Sequence, residues 1–269
     1  MTDTAKMADV FLPVSSNLEN KFLVIYSTSA QIPFILRAEP VIEPIGESLP
    51  DWRIWNELGR RMFKKNYFPW EDADEIYETY LRDSGITVEQ LKQHPEGIFY
   101  SQWEEKSYLK RGFKTPSGKV EIYSKLLEEH GQDPLPTYHE PLEATQDMLK
   151  TFPLIAITGA RIPVFTHSQL RNIPALRKQM PEPLAEINDK TAGRLGLDDG
   201  CIIKIESAKG VVQMRAKVTH DIHPRVVSIQ HGWSGEANAN LLTDDMVRDP
   251  ISGYPSLRSV PVRLKKLET

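Results

Sequence analysis

The chain has 269 residues, 40% of them hydrophobic and 26% charged, with a net charge of -4 and an isoelectric point near 6.0. That is the composition of a globular protein long enough for one large or two ordinary domains, and its mild acidity gives no general electrostatic case for nucleic acid or an anionic membrane surface. No apolar run approaches the ~18 residues of a membrane span, and the single cysteine, Cys201, excludes an intrachain disulfide and an iron–sulfur cluster built on this chain's own thiolates.

Thr2-Asp-Thr-Ala-Lys6 reads as a short helix running into a strand that Pro13 stops. The first residues have neither the basic region nor the apolar core of a signal peptide. Asp51 is placed to cap a helix reaching about Phe63, with Trp52, Trp55, Leu58 and Met62 on its apolar face. A second amphipathic helix runs from about Glu71 to Leu81, with Ala73, Ile76, Tyr77, Tyr80 and Leu81 at helical spacing. Thr87-Val-Glu-Gln90 is a capping box for a third. Aromatics at such spacing are read as packing. Phe113 to Tyr123 reads as a hairpin turned by Pro116-Ser-Gly118. Ser124 caps the next helix and Gly131 ends it. Asp133 to Pro141 is a proline-rich extended linker, which puts a domain boundary close to residue 150.

From there the pattern changes to short strands, Leu154–Thr158, Leu184–Ile187, Ile202–Glu206, Val211–Thr219, Val226–Gln230 and Val260–Leu264. Lys209-Gly210 turns a hairpin between two of them. A helix from Asp189 to Leu195 is closed by Gly196. Six strands with one short helix predict a small closed barrel.

The densest chemistry follows the first of these strands. Gly159, Arg161, His167, Ser168, Gln169 and Arg171 lie within a few residues of its end. Glycine admits close backbone approach, and the side chains are donors suited to phosphates and heterocycle edges. Bland readings exist for each: Arg161 as a surface arginine, His167 as a satisfied loop histidine, Trp233 as core, Asn238 and Asn240 as turn residues. His94, His130, His139, His220 and His223 lack metal-ligand spacing, and no Gly-x-Ser-x-Gly, His-Glu-x-x-His or Lys-Ser/Thr phosphate loop is present.

Thr158-Gly-x-Arg161 with His167-Ser-Gln-x-Arg-Asn-Ile-Pro174 resembles the loop that opens the molybdopterin-dinucleotide-binding domain of the molybdopterin oxidoreductases, the DMSO reductase family. The resemblance continues through Pro181-Glu-Pro-Leu-Ala-Glu-Ile-Asn188, Thr191-Ala-Gly-Arg-Leu-Gly196, Asp199-Gly200 and the run from His231 to Asp245. Earlier, Thr2 to Pro13 and Thr115-Pro-Ser-Gly-Lys-Val-Glu121 are similar to segments that precede that domain. The style of the His-Ser-Gln and Arg-Asn-Ile-Pro pieces resembles more the formate dehydrogenase and thiosulfate or polysulfide reductase branch and its acetylene hydratase-like relatives.

The resemblance implies an α+β chain. Residues 1–150 would be the tail of α/β and helical domains, and residues 151–269 a double-psi β-barrel that binds the dinucleotide. It implies molybdopterin guanine dinucleotide with Mo or W as cofactor. Gly159, Arg161, His167, Ser168 and Gln169 would lie on the pterin and its phosphates, and Gly232, Trp233, Asn238, Asn240 and Thr243 on a pterin heterocycle. Members commonly carry a cysteine-rich cluster motif and a Ser, Cys, selenocysteine or Asp on the metal, and neither has a counterpart here. The expectation is a C-terminal portion, inactive alone, that needs an N-terminal part or complementary subunit holding any iron–sulfur cluster, with any export signal in that part too. The alternative is a stand-alone barrel binding module without metal cofactor. Ala160, where a second polar residue is usual, and Cys201, where an acid is common, depart from the pattern.

Overall fold

The short strands of the first half pair antiparallel, β1 (Phe22–Val24) with β2 (Phe34–Ala38) and β2 with β3 (Ile98–Phe99). They belong to a computed structural model that describes residues 2–25, 32–63, 67–102, 104–138, 140, 144–160 and 162–267. The chain divides into two compact units, Ala8–Leu135 and Met1–Met7 with Pro136–Thr269.

In the first-half unit a small core of Ile35, Leu81, Ile86, Val88 and Leu91 joins the sheet to two helices, Ala73–Leu81 and Val88–Gln93. The former starts two residues later than the spacing predicted and is capped by Asp72, and Thr87 and Gln90 form the capping box of the latter. Arg37 grips both carboxylate oxygens of Asp74, at 2.7 and 3.0 Å. The helix Asp51–Met62 differs from expectation. Pro50 holds its N-cap position, so Asp51 is the first helical residue. Its packed face is Asn56 and Gly59, with the Asn56 amide donating to the Trp70 carbonyl at 2.7 Å, while Trp55, Leu58 and Met62 stay exposed.

Two predicted strand features are absent. Residues 8–13 form no strand; Val10, Phe11 and Leu12 are exposed, and pairing is limited to one bridge from Val14 to Leu49. Residues 113–123 form no hairpin ladder. Their side chains satisfy the backbone instead, Thr115 bonding the Lys119 carbonyl and Glu121 accepting from the Ser117 amide. Ser124 and Gly131 bound the helix Lys125–Glu129 as read.

The barrel comprises β4 (Leu154–Ala160), β5 (Leu184–Asn188), β6 (Ile202–Glu206), β7 (Val211–Thr219), β8 (Val226–Gln230) and β9 (Val260–Lys266), closed in the order β4-β8-β5-β7-β6-β9. All six predicted strands are present, β4 and β9 each two residues longer than read. Alternate residues point inward, so Ile187, Ile203, Ile205, Val212, Met214, Val227, Ile229 and Val262 fill the interior. The helix Asp189–Leu195 ends at Gly196 in the left-handed region, and the Leu197 amide reaches back to the Ala192 carbonyl at 2.9 Å. Cys201 is partly buried against this core. Strands β4–β8 and β5–β7 pair parallel, and the remaining neighbours antiparallel.

Candidate functional site

The parallel pairing of β4 and β8 sets Ala160 opposite Gln230. Parallel neighbours end at the same edge, so the loops that follow these strands leave the barrel side by side although they are far apart in sequence. Ile162 and Phe165 sink the first loop into the barrel core. Between them and Pro174 a turn, closed by the Gln169 amide on the Thr166 carbonyl at 2.9 Å, lifts His167 and Ser168 outward. His167 and Leu170 both take positive φ, 55° and 68°, a strained conformation for residues with a Cβ. Pro174 then starts the helix Pro174–Gln179, which carries Arg177.

The second loop begins His231-Gly232-Trp233. Gly232 has φ 83°, and a Cβ there would lie 2.6 Å from the His167 carbonyl carbon and 3.1 Å from the Ser168 nitrogen. Only glycine allows the two backbones this approach. The His167 and His231 rings also meet, Nδ1 to Nε2, at 2.7 Å. Two short 3₁₀ turns follow, Gly235–Ala237 and Ala239–Leu242.

Between the loops lies a cleft of about 400 Å³. Ser168, Arg171 and Asn172 form one wall, and Gly232, Trp233, Asn238 and Asn240 the other. Asp3, from the short helix Asp3–Lys6, closes it; its carboxylate accepts from the Gly235 amide at 3.3 Å and the Asn238 amide at 3.1 Å. The Lys6 ammonium beside it, then these donors, hold the Asp3 carboxyl below the usual range.

Trp233 is 7% exposed and meets Phe165 edge-on. The guanidinium of Arg171 lies 4.1 Å from its ring centroid and that of Arg177 lies 4.9 Å away. Burial, with the neighbouring Arg177 charge, lowers the pKa of Arg171. Arg171 gives one Nη donor to the His167 carbonyl at 3.2 Å. Its Nε and the Trp233 Nε1 are buried without a partner among the described residues. A buried donor left unmade costs ~1–3 kcal/mol, so these two N–H groups mark a place for an acceptor.

Of the residues singled out in the sequence, Ser168, Gly232, Trp233, Asn238 and Asn240 line the cleft together. His167 sits behind it on His231. Gln169 is exposed on the turn, and Thr243 bonds the Asn240 carbonyl at 3.1 Å; neither lines the cleft. Gly159 faces the Arg258 side chain. Arg161 and His139 lie outside the described residues. Asn238 also serves its turn, accepting from the Asn240 amide at 3.1 Å. Sequence reasoning missed Arg171, Asn172, His231 and Asp3 as cleft residues, although all four stand inside the quoted motifs. Their signal was the motif itself; residue type alone marked only Arg171.

The cleft is rich in donors and carries no nucleophile with a base. His167 turns its ring to His231, with no bond to the Ser168 hydroxyl among the described contacts. No group of three or more His, Cys, Asp or Glu is poised for a metal among the described residues. The unpartnered N–H groups and the amide and hydroxyl side chains are chemically suited to the acceptor edges of a pterin dinucleotide.

Residues 154–261 match the molydopterin dinucleotide binding domain. The chain belongs to the molybdopterin oxidoreductases, the DMSO reductase family. It is 32% identical to acetylene hydratase of Syntrophotalea acetylenica over 96% of this chain and 38% of that protein. It is 30% identical to the thiosulfate reductase molybdopterin-containing subunit of Salmonella typhimurium over 89% of this chain and 34% of that one. The structure of acetylene hydratase from Pelobacter acetylenicus superposes with a TM-score of 0.82 at 30% identity, covering 99% of this chain and 39% of that one. The chain thus spans well under half the length of these relatives and corresponds to their C-terminal, dinucleotide-binding portion.

Proposed function

We propose that the loops 162–173 and 231–243 hold one pyranopterin of a molybdopterin guanine dinucleotide pair whose metal, Mo or W, is shared with an N-terminal part or complementary subunit. The observation that carries this is the cleft where both loops meet with two unpartnered N–H donors on its walls. Gly232 brings the backbone within reach of the ligand, and Ser168, Asn238 and Asn240 offer hydroxyl and amide groups to a heterocycle edge. Gly159, Arg161 and Gln169 are assigned to the phosphates of the same ligand. His167 holds the first loop against His231, and Thr243 fixes the turn that presents Asn240.

When bound, the cofactor supplies a metal centre for two-electron or oxygen-atom chemistry. The chain's own residues bind and orient it and exclude water from its ring edge. Residues 151–269 act as the binding domain, and residues 1–150 belong with the remainder of the enzyme. That remainder carries the metal ligand and any iron–sulfur cluster, since Cys201 alone cannot hold one. The relatives are named for a hydratase and a reductase, so the choice of reaction is assigned to the remainder of the enzyme.

The test is pterin fluorescence of denatured extracts, with Mo and W analysis, on protein made in cells that produce the cofactor. The chain co-purified with its complementary part should yield pterin and metal in stoichiometric amount, and the chain alone neither metal nor turnover. A co-purified assembly free of pterin would refute the proposal.

A further inference from the structure

Resting on that reading and deepening it, we infer that the tip of the β6–β7 hairpin, Ser207 to Gly210, is a clamp that positions the Asn238 and Asn240 amides at the cleft without touching it. The turn itself is closed by the Ser207 amide on the Gly210 carbonyl at 2.9 Å. Three further contacts leave it and reach the end of the second loop. The Ser207 hydroxyl accepts from the Lys209 and Gly210 amides at 3.1 and 3.3 Å and donates to the Leu242 carbonyl at 2.9 Å. The Lys209 ammonium lies 2.8 Å from the Asp244 carboxylate, which also accepts from the Met246 amide at 2.9 Å. Gly210 backs onto the loop so closely that a Cβ there would lie 2.4 Å from the Leu241 carbonyl oxygen. Gly210 is outside the left-handed region, so it is this approach that calls for glycine.

These contacts act on the cleft through the 3₁₀ turn Ala239–Leu242. Ala239 and Leu242 are buried in the barrel core, while Asn240 between them lines the cleft. Asn238 opens the turn, accepting from the Asn240 amide at 3.1 Å, and Thr243 closes it on the Asn240 carbonyl at 3.1 Å. A 3₁₀ turn this short has poor internal hydrogen-bond geometry, so its position depends on what grips its ends. Asp3 holds one end, through the Asn238 amide at 3.1 Å. The hairpin holds the other, at Leu241, Leu242 and Asp244. Neither Ser207, Lys209 nor Gly210 lines the cleft, so all three are positioning residues that act through the loop.

The experiment follows pterin released over time from the chain co-purified with its complementary part, together with amide exchange at Asn238, Leu241 and Thr243, the amides bonded within the two 3₁₀ turns. Ser207→Ala should speed release about fivefold and exchange at the three amides with it. Ser207→Thr, which keeps the hydroxyl, should recover the native behaviour in both. Lys209→Met should speed release about threefold, and Lys209→Arg should recover the native rate. Lys217→Gln is the control: it breaks a comparable ion pair, to Glu186 at 2.9 Å, between β7 and β5, and should leave release unchanged. If Ser207→Ala fails to fold by near-ultraviolet circular dichroism, the two Lys209 variants decide. A Ser207→Ala protein that is less stable in urea yet releases pterin at the native rate would overturn the clamp and leave the cofactor reading standing. Equal acceleration by Lys217→Gln would do the same. A native assembly free of pterin removes the clamp and the reading together.

Discussion

His167 Nδ1 lies 2.7 Å from Nε2 of His231, so an imidazole–imidazole hydrogen bond ties the loop after β4 to the loop after β8. One ring must donate and the other accept, which two fully protonated rings cannot do. Replacing His231 with Phe keeps the ring volume and removes the bond. The expected result is a loss of ~1 kcal/mol of stability, with faster amide exchange at Gln169 and Ile173, the turn amides of the His167 loop. Unchanged exchange at those two amides would show that the rings do not hold the loops.

Gly232→Ala tests the backbone contact between the loops. The added Cβ meets the His167 carbonyl carbon at 2.6 Å in a left-handed conformation, where both strain and overlap oppose it. A destabilisation of ~2–4 kcal/mol is expected in urea unfolding. Gly235→Ala is the matched comparison: φ is 64° but nothing lies within 4 Å, so only the conformational cost of ~1 kcal/mol remains. Equal losses in the two variants would contradict the close approach.

Glu206, on β6, should give the barrel a stability that drains in acid. Its hydrogen bond from Arg263, at 2.8 Å, and the charges of Arg263 and Lys265 lower its pKa from 4.5 to about 2. A carboxyl depressed in the folded state contributes fully above its unfolded value, and that contribution is lost as pH falls from 4.5 towards about 2. Thermal unfolding between pH 6 and pH 2 should therefore show a steeper acid loss for the native chain than for Glu206→Gln. Parallel curves would argue that the ion pair does not persist in solution.

The barrel was legible because its strands alternate or run apolar between clear turns, as in Val211–Thr219, and because Gly196 stops the helix Asp189–Leu195 where it should, although the helix Pro174–Gln179 was not foreseen. The face of Asp51–Met62 was misread because amphipathic spacing identifies an apolar stripe without saying what covers it; here Asn56 and Gly59 do the packing. The Phe113–Tyr123 hairpin failed since Thr115, Ser117 and Glu121 bond the backbone locally, a competition that strand patterns do not reveal. At the site, motifs located both loops. Their meeting depends on the parallel register of Ala160 with Gln230, and no local pattern encodes that long-range pairing. Arg171 and Arg177 became neighbours of Trp233 only through it.

The most direct test of the central claim is a structure of the cofactor-loaded assembly. Pterin density should fill the cleft between Ser168 and Asn240, with an acceptor oxygen on the Trp233 and Arg171 donors. Pterin density lying elsewhere, with this cleft holding only solvent, would contradict it.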